Sequence, residues 1–153
     1  MEEQMRKSDT VHKILAHSYS IYLGALLLGL LLDYFIPYEV FQDSTAKTAG
    51  VALLGFATTA ILWAQATSRN LEIENLSKDA FARGPYRVSR TPTHWGLFLL
   101  MLGFGIISNA FFVIVLSFVS FLITKFIFIK KEEDILAQKY GAPYLEYKKS
   151  VKL

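Results

Sequence analysis

Four apolar blocks separated by short polar stretches set the pattern of this chain. The first, SYSIYLGALLLGLLLDYFIP (18 to 37), carries its charge in Asp33, close to the far end. The second, TAGVALLGFATTAILWAQA (48 to 66), carries none. Each is long enough, at ~1.5 Å of helix rise per residue, to cross ~30 Å of hydrocarbon. The third, from His94 to about Ser108, is shorter, and ~15 residues reach only ~22 Å as a helix. The fourth, AFFVIVLSFVSFLITKFIFI (110 to 129), is again full length. Ser108-Asn109 is a turn signal, so the last two blocks are expected to form a tight helical hairpin. The pattern predicts an all-α integral membrane protein with four transmembrane helices, and a short cytosolic tail helix after them. Ahead of the first block, MEEQMRKSDTVHKILAH places Val11, Ile14 and Leu15 at helical spacing among charges. That suits an amphipathic segment over 1–17 lying along the headgroups.

The basic residues orient these spans. Arg6, Lys7 and Lys13 precede the first block. Arg69, Lys78, Arg83, Arg87 and Arg90 separate the second from the third, and Lys130, Lys131, Lys139, Lys148, Lys149 and Lys152 follow the fourth. Of the 16 Lys and Arg, only Lys47 and Lys125 lie elsewhere. Four crossings put all three groups on one side, and Lys125, one turn inside the fourth block, can snorkel toward it. The positive-inside rule makes that side cytosolic, with both termini and the middle loop facing it. The membrane would be the plasma membrane of a bacterium or the endoplasmic reticulum of a eukaryote.

Composition narrows the chemistry. A length of 153 residues suits one domain, and 53% hydrophobic residues suits a membrane. A net charge of +3, segregated as above, does not suit nucleic acid. The absence of cysteine excludes disulfides and thiolate chemistry. His12 and His17 read as interfacial residues, with no third ligand beside them to make a metal site. Gly24, Gly29, Gly103 and Gly105 are expected at close helix contacts, and Asp33 is expected to be wetted at the outer end of its span.

The densest polar chemistry, GPYRVSRTPTHWG (84 to 96), stands at the foot of the third block. Gly84-Pro85 marks a turn. Thr91 reads as a helix N-cap and Pro92 as the first helical residue. A helix N-terminus flanked by Arg87 and Arg90 can hold an anion, and arginine grips carboxylate or phosphate with two prongs. Glu132 and Glu133 follow the fourth block at the matching depth, so two acids are expected to face two arginines. A zwitterionic ligand would fit, its carboxylate on the arginines and its ammonium or ribose hydroxyls on a glutamate. The duller readings are phosphate-anchoring arginines, and glutamates paired with Lys130 and Lys131 on a solvated helix face. His94, beside Trp95, reads equally as an interfacial belt residue or a ligand.

GPYRVSRTPTHWG resembles the GxYRxxRHPxYxG signature of the isoprenylcysteine carboxyl methyltransferases and related phospholipid methyltransferases. KEEDILAQKYGAPYLEYKKSV resembles their closing EExxLxxxFGxxYxxY segment, and the similarity covers roughly residues 76–151. It implies S-adenosylmethionine bound at the cytosolic face and methyl transfer to a substrate arriving through the lipid. By motif position Tyr86, Thr91, Pro92, Thr93 and His94 would line the cofactor site, with Glu132 closing it and the segment Lys78 to Phe81 beside it. Together with Arg87, Arg90 and Glu133 these form the expected cofactor-binding set, Arg90 and Glu132 being the residues closest to catalysis. Thr91 stands where the family has histidine, His94 where it has tyrosine, and Phe128 where the isoprenylcysteine enzymes place a substrate-holding arginine. The last departure counts against prenylcysteine more than against the cofactor. The acceptor stays open among prenylated thiols or carboxylates, isoprenoids, fatty acids and phospholipid headgroups, as does the oligomeric state. Two rivals stand beside this reading: an NADPH-dependent reductase of sterol-reductase-like architecture, and a non-catalytic membrane protein that keeps the fold.

Overall fold

The computed structural model describes residues 2–69 and 78–151, all of them helical or in short connections, with no strand among them. Helix α1 runs unbroken from Glu2 to Phe35. The N-terminal segment is therefore backbone-continuous with the first span, and the side chains of Val11, Ile14 and Leu15 lie outside the described residues. The helix stops two residues before Pro37, which has no N–H to continue it and disfavours helix in the residue ahead of it. Helix α2 spans Ser44–Arg69 and α3 is a single turn, Lys78–Phe81. Next come α4 (Pro92–Ile107), α5 (Phe111–Ile123), α6 (Ile129–Tyr140) and α7 (Ala142–Ser150). Thr124–Phe128 joins α5 to α6 as a wide π-type turn rather than a break.

Among the described residues, three helical stretches are long and apolar enough to cross a membrane: Ala16–Phe35, Ser44–Thr67 and Phe111–Tyr140. Helix α4 is equally apolar but has 16 residues. It lies between α2 and α5, joined to α5 by the three residues 108–110. The outside of the bundle is apolar, with Leu23, Leu27, Leu31, Phe56, Phe118, Leu122 and Phe126 exposed. Its interior holds Ser18, Ser117, Ser120, Thr124 and His94. That inversion is what lipid as solvent demands, since polar groups there must find partners within the protein.

Small residues set the helix separations. A side chain at Gly103 would sit 3.0 Å from the carbonyl oxygen of Gly50, and one at Gly29 would sit 2.9 Å from the Cα of Val113. These contacts bring α4 onto α2 and α5 onto α1, so close packing replaces the hydrophobic effect that lipid cannot supply. Gly105 meets Ile114 in the same way, whereas Gly24 has nothing within 4 Å and takes no part.

Polar side chains lock the end of the bundle away from the charged motifs. Asp33 is not simply wetted: its carboxylate accepts from the backbone N–H groups of Phe112 (3.1 Å) and Val113 (3.2 Å). It thus caps the N-terminus of α5 from another helix, where a negative charge meets free donors and the positive end of the dipole. Asn109, in the left-handed region with φ 53°, accepts from the N–H groups of Val40 (3.1 Å) and Phe41 (2.8 Å) and donates to Phe41 O (3.0 Å). The expected turn at Ser108-Asn109 therefore also fastens the α1–α2 connection.

Candidate active site

The opposite end gathers the charged motifs. Pro92 occupies the first turn of α4 and Thr91 the cap position, as the sequence predicts, but the Thr91 hydroxyl makes no capping bond. Its own N–H instead takes the Ser89 hydroxyl as acceptor at 3.2 Å. Pro92, Thr93 and His94 are all buried. The N-terminus of α4 is therefore covered by protein rather than laid open to solvent.

Two consecutive glutamates on α6 point about 100° apart around the helix axis, so they reach different partners. Glu133, 8% exposed, receives Arg90 Nη1 at 2.6 Å on one oxygen and Lys148 Nζ at 2.8 Å on the other. Glu132 Oε2 lies 3.0 Å from His94 Nε2, with the imidazole 2% exposed. This pairing excludes both a solvated face shared with Lys130 and Lys131 and a belt position for His94. The expected meeting of two arginines with two acids is corrected: Arg87 is exposed and makes no ion pair with a described residue, and Lys148 of α7 takes the second place.

Helix α7 packs back on α3 through an aromatic cluster. Phe81 stacks on Tyr147 at 5.8 Å and meets Tyr140 and Tyr144 edge-on at 5.1 and 5.7 Å. Phe81 is therefore a core residue of that cluster. The Tyr147 hydroxyl donates to the carbonyl of Tyr86 at 2.7 Å, tying α7 to the Gly84–Arg87 turn. Burial raises the Tyr144 phenol well above its ordinary value, helped by the Glu133 and Glu132 carboxylates; burial likewise raises that of Tyr147. Both stay protonated at any physiological pH.

Arg90 Nε and His94 Nδ1 are buried with no partner among the described residues, and the buried hydroxyls of Tyr22 and Thr124 face each other. Tyr22 and Thr124 escaped the sequence reading, as did Lys148. One signal was available, because Ser117, Ser120 and Thr124 recur at i, i+3 and i+7 and so mark a polar stripe on one helix face.

A bundle with an apolar exterior, a polar interior and a charged foot defines an integral membrane protein with the makings of a ligand site. A family model for phospholipid methyltransferases matches residues 45–143, from the start of α2 into α7. The chain belongs to that family, which is one of methyltransferases. No curated protein and no solved structure matches it.

Proposed function

We propose that the protein transfers a methyl group from S-adenosylmethionine to a lipid-soluble acceptor at the charged foot of the bundle. What carries this reading is the convergence of Arg90, just ahead of α4, and His94, in its first turn, with Glu132 and Glu133 of α6, His94 and Glu132 being 38 positions apart in sequence. The residues fit an amino-acid zwitterion. Arg90 keeps a buried, unpartnered Nε–H that a carboxylate would accept, and Glu132 and Glu133 offer carboxylate oxygens to an ammonium or to ribose hydroxyls. Tyr86, Thr91, Pro92 and Thr93 border that foot. The missing family histidine at Thr91 is offset by His94, whose imidazole returns to Glu132 from one turn further on. Arg87, exposed at the rim, would meet incoming anions rather than hold them.

When bound, the donor supplies a methyl group already activated on a sulfonium, so the protein's main task is alignment. Arg90 and the glutamates would fix the donor's charged end, and the surrounding helices exclude water. We further read the chain as crossing the membrane four times, α4 included, with α4 and α5 as a hairpin, both termini cytosolic and the foot at the cytosolic surface. The distribution of lysine and arginine supports this.

Calorimetric titration of the purified protein in lipid nanodiscs with S-adenosylhomocysteine tests the reading. Wild type is expected to bind, and Arg90→Ala to bind at least ~10-fold more weakly, a loss of about 1.4 kcal/mol. Wild-type protein that releases no heat of binding would refute it.

A further inference from the structure

Helices α5 and α6 form one continuous rod, Phe111–Tyr140, in which the wide turn Thr124–Phe128 is the one irregular stretch. There the Ile129 N–H bonds back five residues to Thr124 O, where an α-helix would reach back four. The turn therefore holds one residue more than a regular one, and each residue is worth about 100° of rotation. That extra residue decides what the rod presents at the charged foot. Closing the turn into plain α-helix would move every residue of α6 into the place now held by its successor. Glu132 would then stand where Glu133 meets Arg90, and Lys131 where Glu132 meets His94. The foot would offer one carboxylate and one ammonium in place of two carboxylates.

Helix α1 runs antiparallel to this rod and is fastened to it at two levels. At the closed end Asp33 takes the Val113 N–H. At the first residue of the wide turn the Thr124 hydroxyl is hydrogen-bonded to the hydroxyl of Tyr22. Tyr22 lies eleven residues before Asp33, and Thr124 eleven after Val113. The two fastenings are thus ~16 Å apart along either helix, so α1 serves as a splint that fixes where the turn falls. Both residues are buried, Thr124 completely, and breaking their bond would leave each hydroxyl without its partner. We propose that the wide turn, tied to α1 by Tyr22 and Thr124, sets the rotation of α6 and thereby selects Glu132 and Glu133 to meet the methyl donor. Tyr22 and Thr124 are then positioning residues, acting through the two glutamates. The proposal rests on the methyl-transfer reading above.

The chain has no cysteine, so a single introduced thiol can report the rotation. Ala137 is half-buried against the cluster of Phe81, Tyr144 and Tyr147, and the next position, Gln138, is exposed. Closing the turn would carry Ala137→Cys into that exposed place, whereas Leu136→Cys would move only to the half-buried place of Ala137. In nanodiscs, Thr124→Val is expected to raise the rate at which a water-soluble maleimide labels Ala137→Cys about 5-fold, the population shift that loss of one hydrogen bond allows, and to leave Leu136→Cys within about 2-fold. Thr124→Ser keeps the hydroxyl and is expected to change neither. The proposal is overturned by an unchanged rate at Ala137→Cys, by equal acceleration at both positions, which reports general loosening, or by a Thr124→Ser that behaves as Thr124→Val does. Saturating S-adenosylhomocysteine is expected to slow labelling of Ala137→Cys in Thr124→Val at least about 5-fold, because it binds the rotation that presents both glutamates. Binding without that slowing also overturns the proposal. Failure of the wild type to bind S-adenosylhomocysteine would sink the methyl-transfer reading instead, while labelling without ligand still decides what the turn does. Should Thr124→Val not fold, Tyr22→Phe removes the other half of the same bond and is held to the same outcomes.

Discussion

At the closed end of the bundle, Asp33 and Asn109 reach across to other segments and take up four backbone N–H groups, those of Val40, Phe41, Phe112 and Val113. At the charged end, Arg90 and His94 each bury a polar atom that nothing among the described residues takes up. Both ends face the same apolar surroundings and the same penalty for an unpaired polar group. One end is arranged to have its hydrogen bonds complete within the chain. The other leaves directional donors and acceptors unspent around two carboxylates, which is the arrangement a ligand site needs. In a membrane protein this contrast locates chemistry better than hydrophobicity does, because hydrophobicity is nearly uniform along the spans.

Substitutions at the two ends should break or sharpen that contrast. The largest effect is expected from Glu133→Ala, which strands Arg90 and Lys148 without their common carboxylate. Loss of one partner from a buried ion pair costs about 3–5 kcal/mol, and thermal unfolding in nanodiscs should show a correspondingly lower midpoint. If Glu133→Ala unfolds like wild type, the ion cluster does not hold this end together. A smaller effect belongs to the closed end. Asp33→Ala removes the cap of α5 and should cost about 1–2 kcal/mol in the same measurement, leaving S-adenosylhomocysteine affinity unchanged. A loss of affinity there would show that the two ends are coupled. The smallest effect is expected from Thr91→Ala. Its hydroxyl makes no capping bond, so stability should change by less than about 0.5 kcal/mol, the range of an ordinary substitution that removes no contact. A drop as large as that of Asp33→Ala would show that the hydroxyl does cap α4.

Those two threonine and aspartate positions also show how far local sequence signals reach. Thr91-Pro92 marks the start of α4 correctly, because Pro at the first helical position is a property of the local backbone. The signal did not say whether the Thr91 hydroxyl would bond, since that depends on the rotamer and on Ser89 nearby. Asp33 caps a helix that begins 78 positions later, and no local pattern reports a cap delivered from another helix. The pair of motifs at the foot was legible as two clusters of opposite charge. Their wiring was not: Arg90 chose Glu133 over Glu132, His94 took Glu132, and Lys148 entered from α7. Gly29 and Gly103 were readable as close-packing positions, but Gly24 carries the same signal and touches nothing.

The sequence by itself determined the helices, because a run of apolar residues in lipid must satisfy its backbone internally, and helix is the local way to do so. It also determined the two polar motifs and their family, through residue identity and spacing. Only the tertiary structure decided which side chains meet: the register of α4 on α5 and the return of α7 are set by small-residue contacts between helices distant in the chain. The same packing brought the Tyr22 hydroxyl of α1 to Thr124, since a buried hydroxyl acquires a partner only when the neighbouring helix has been put in place.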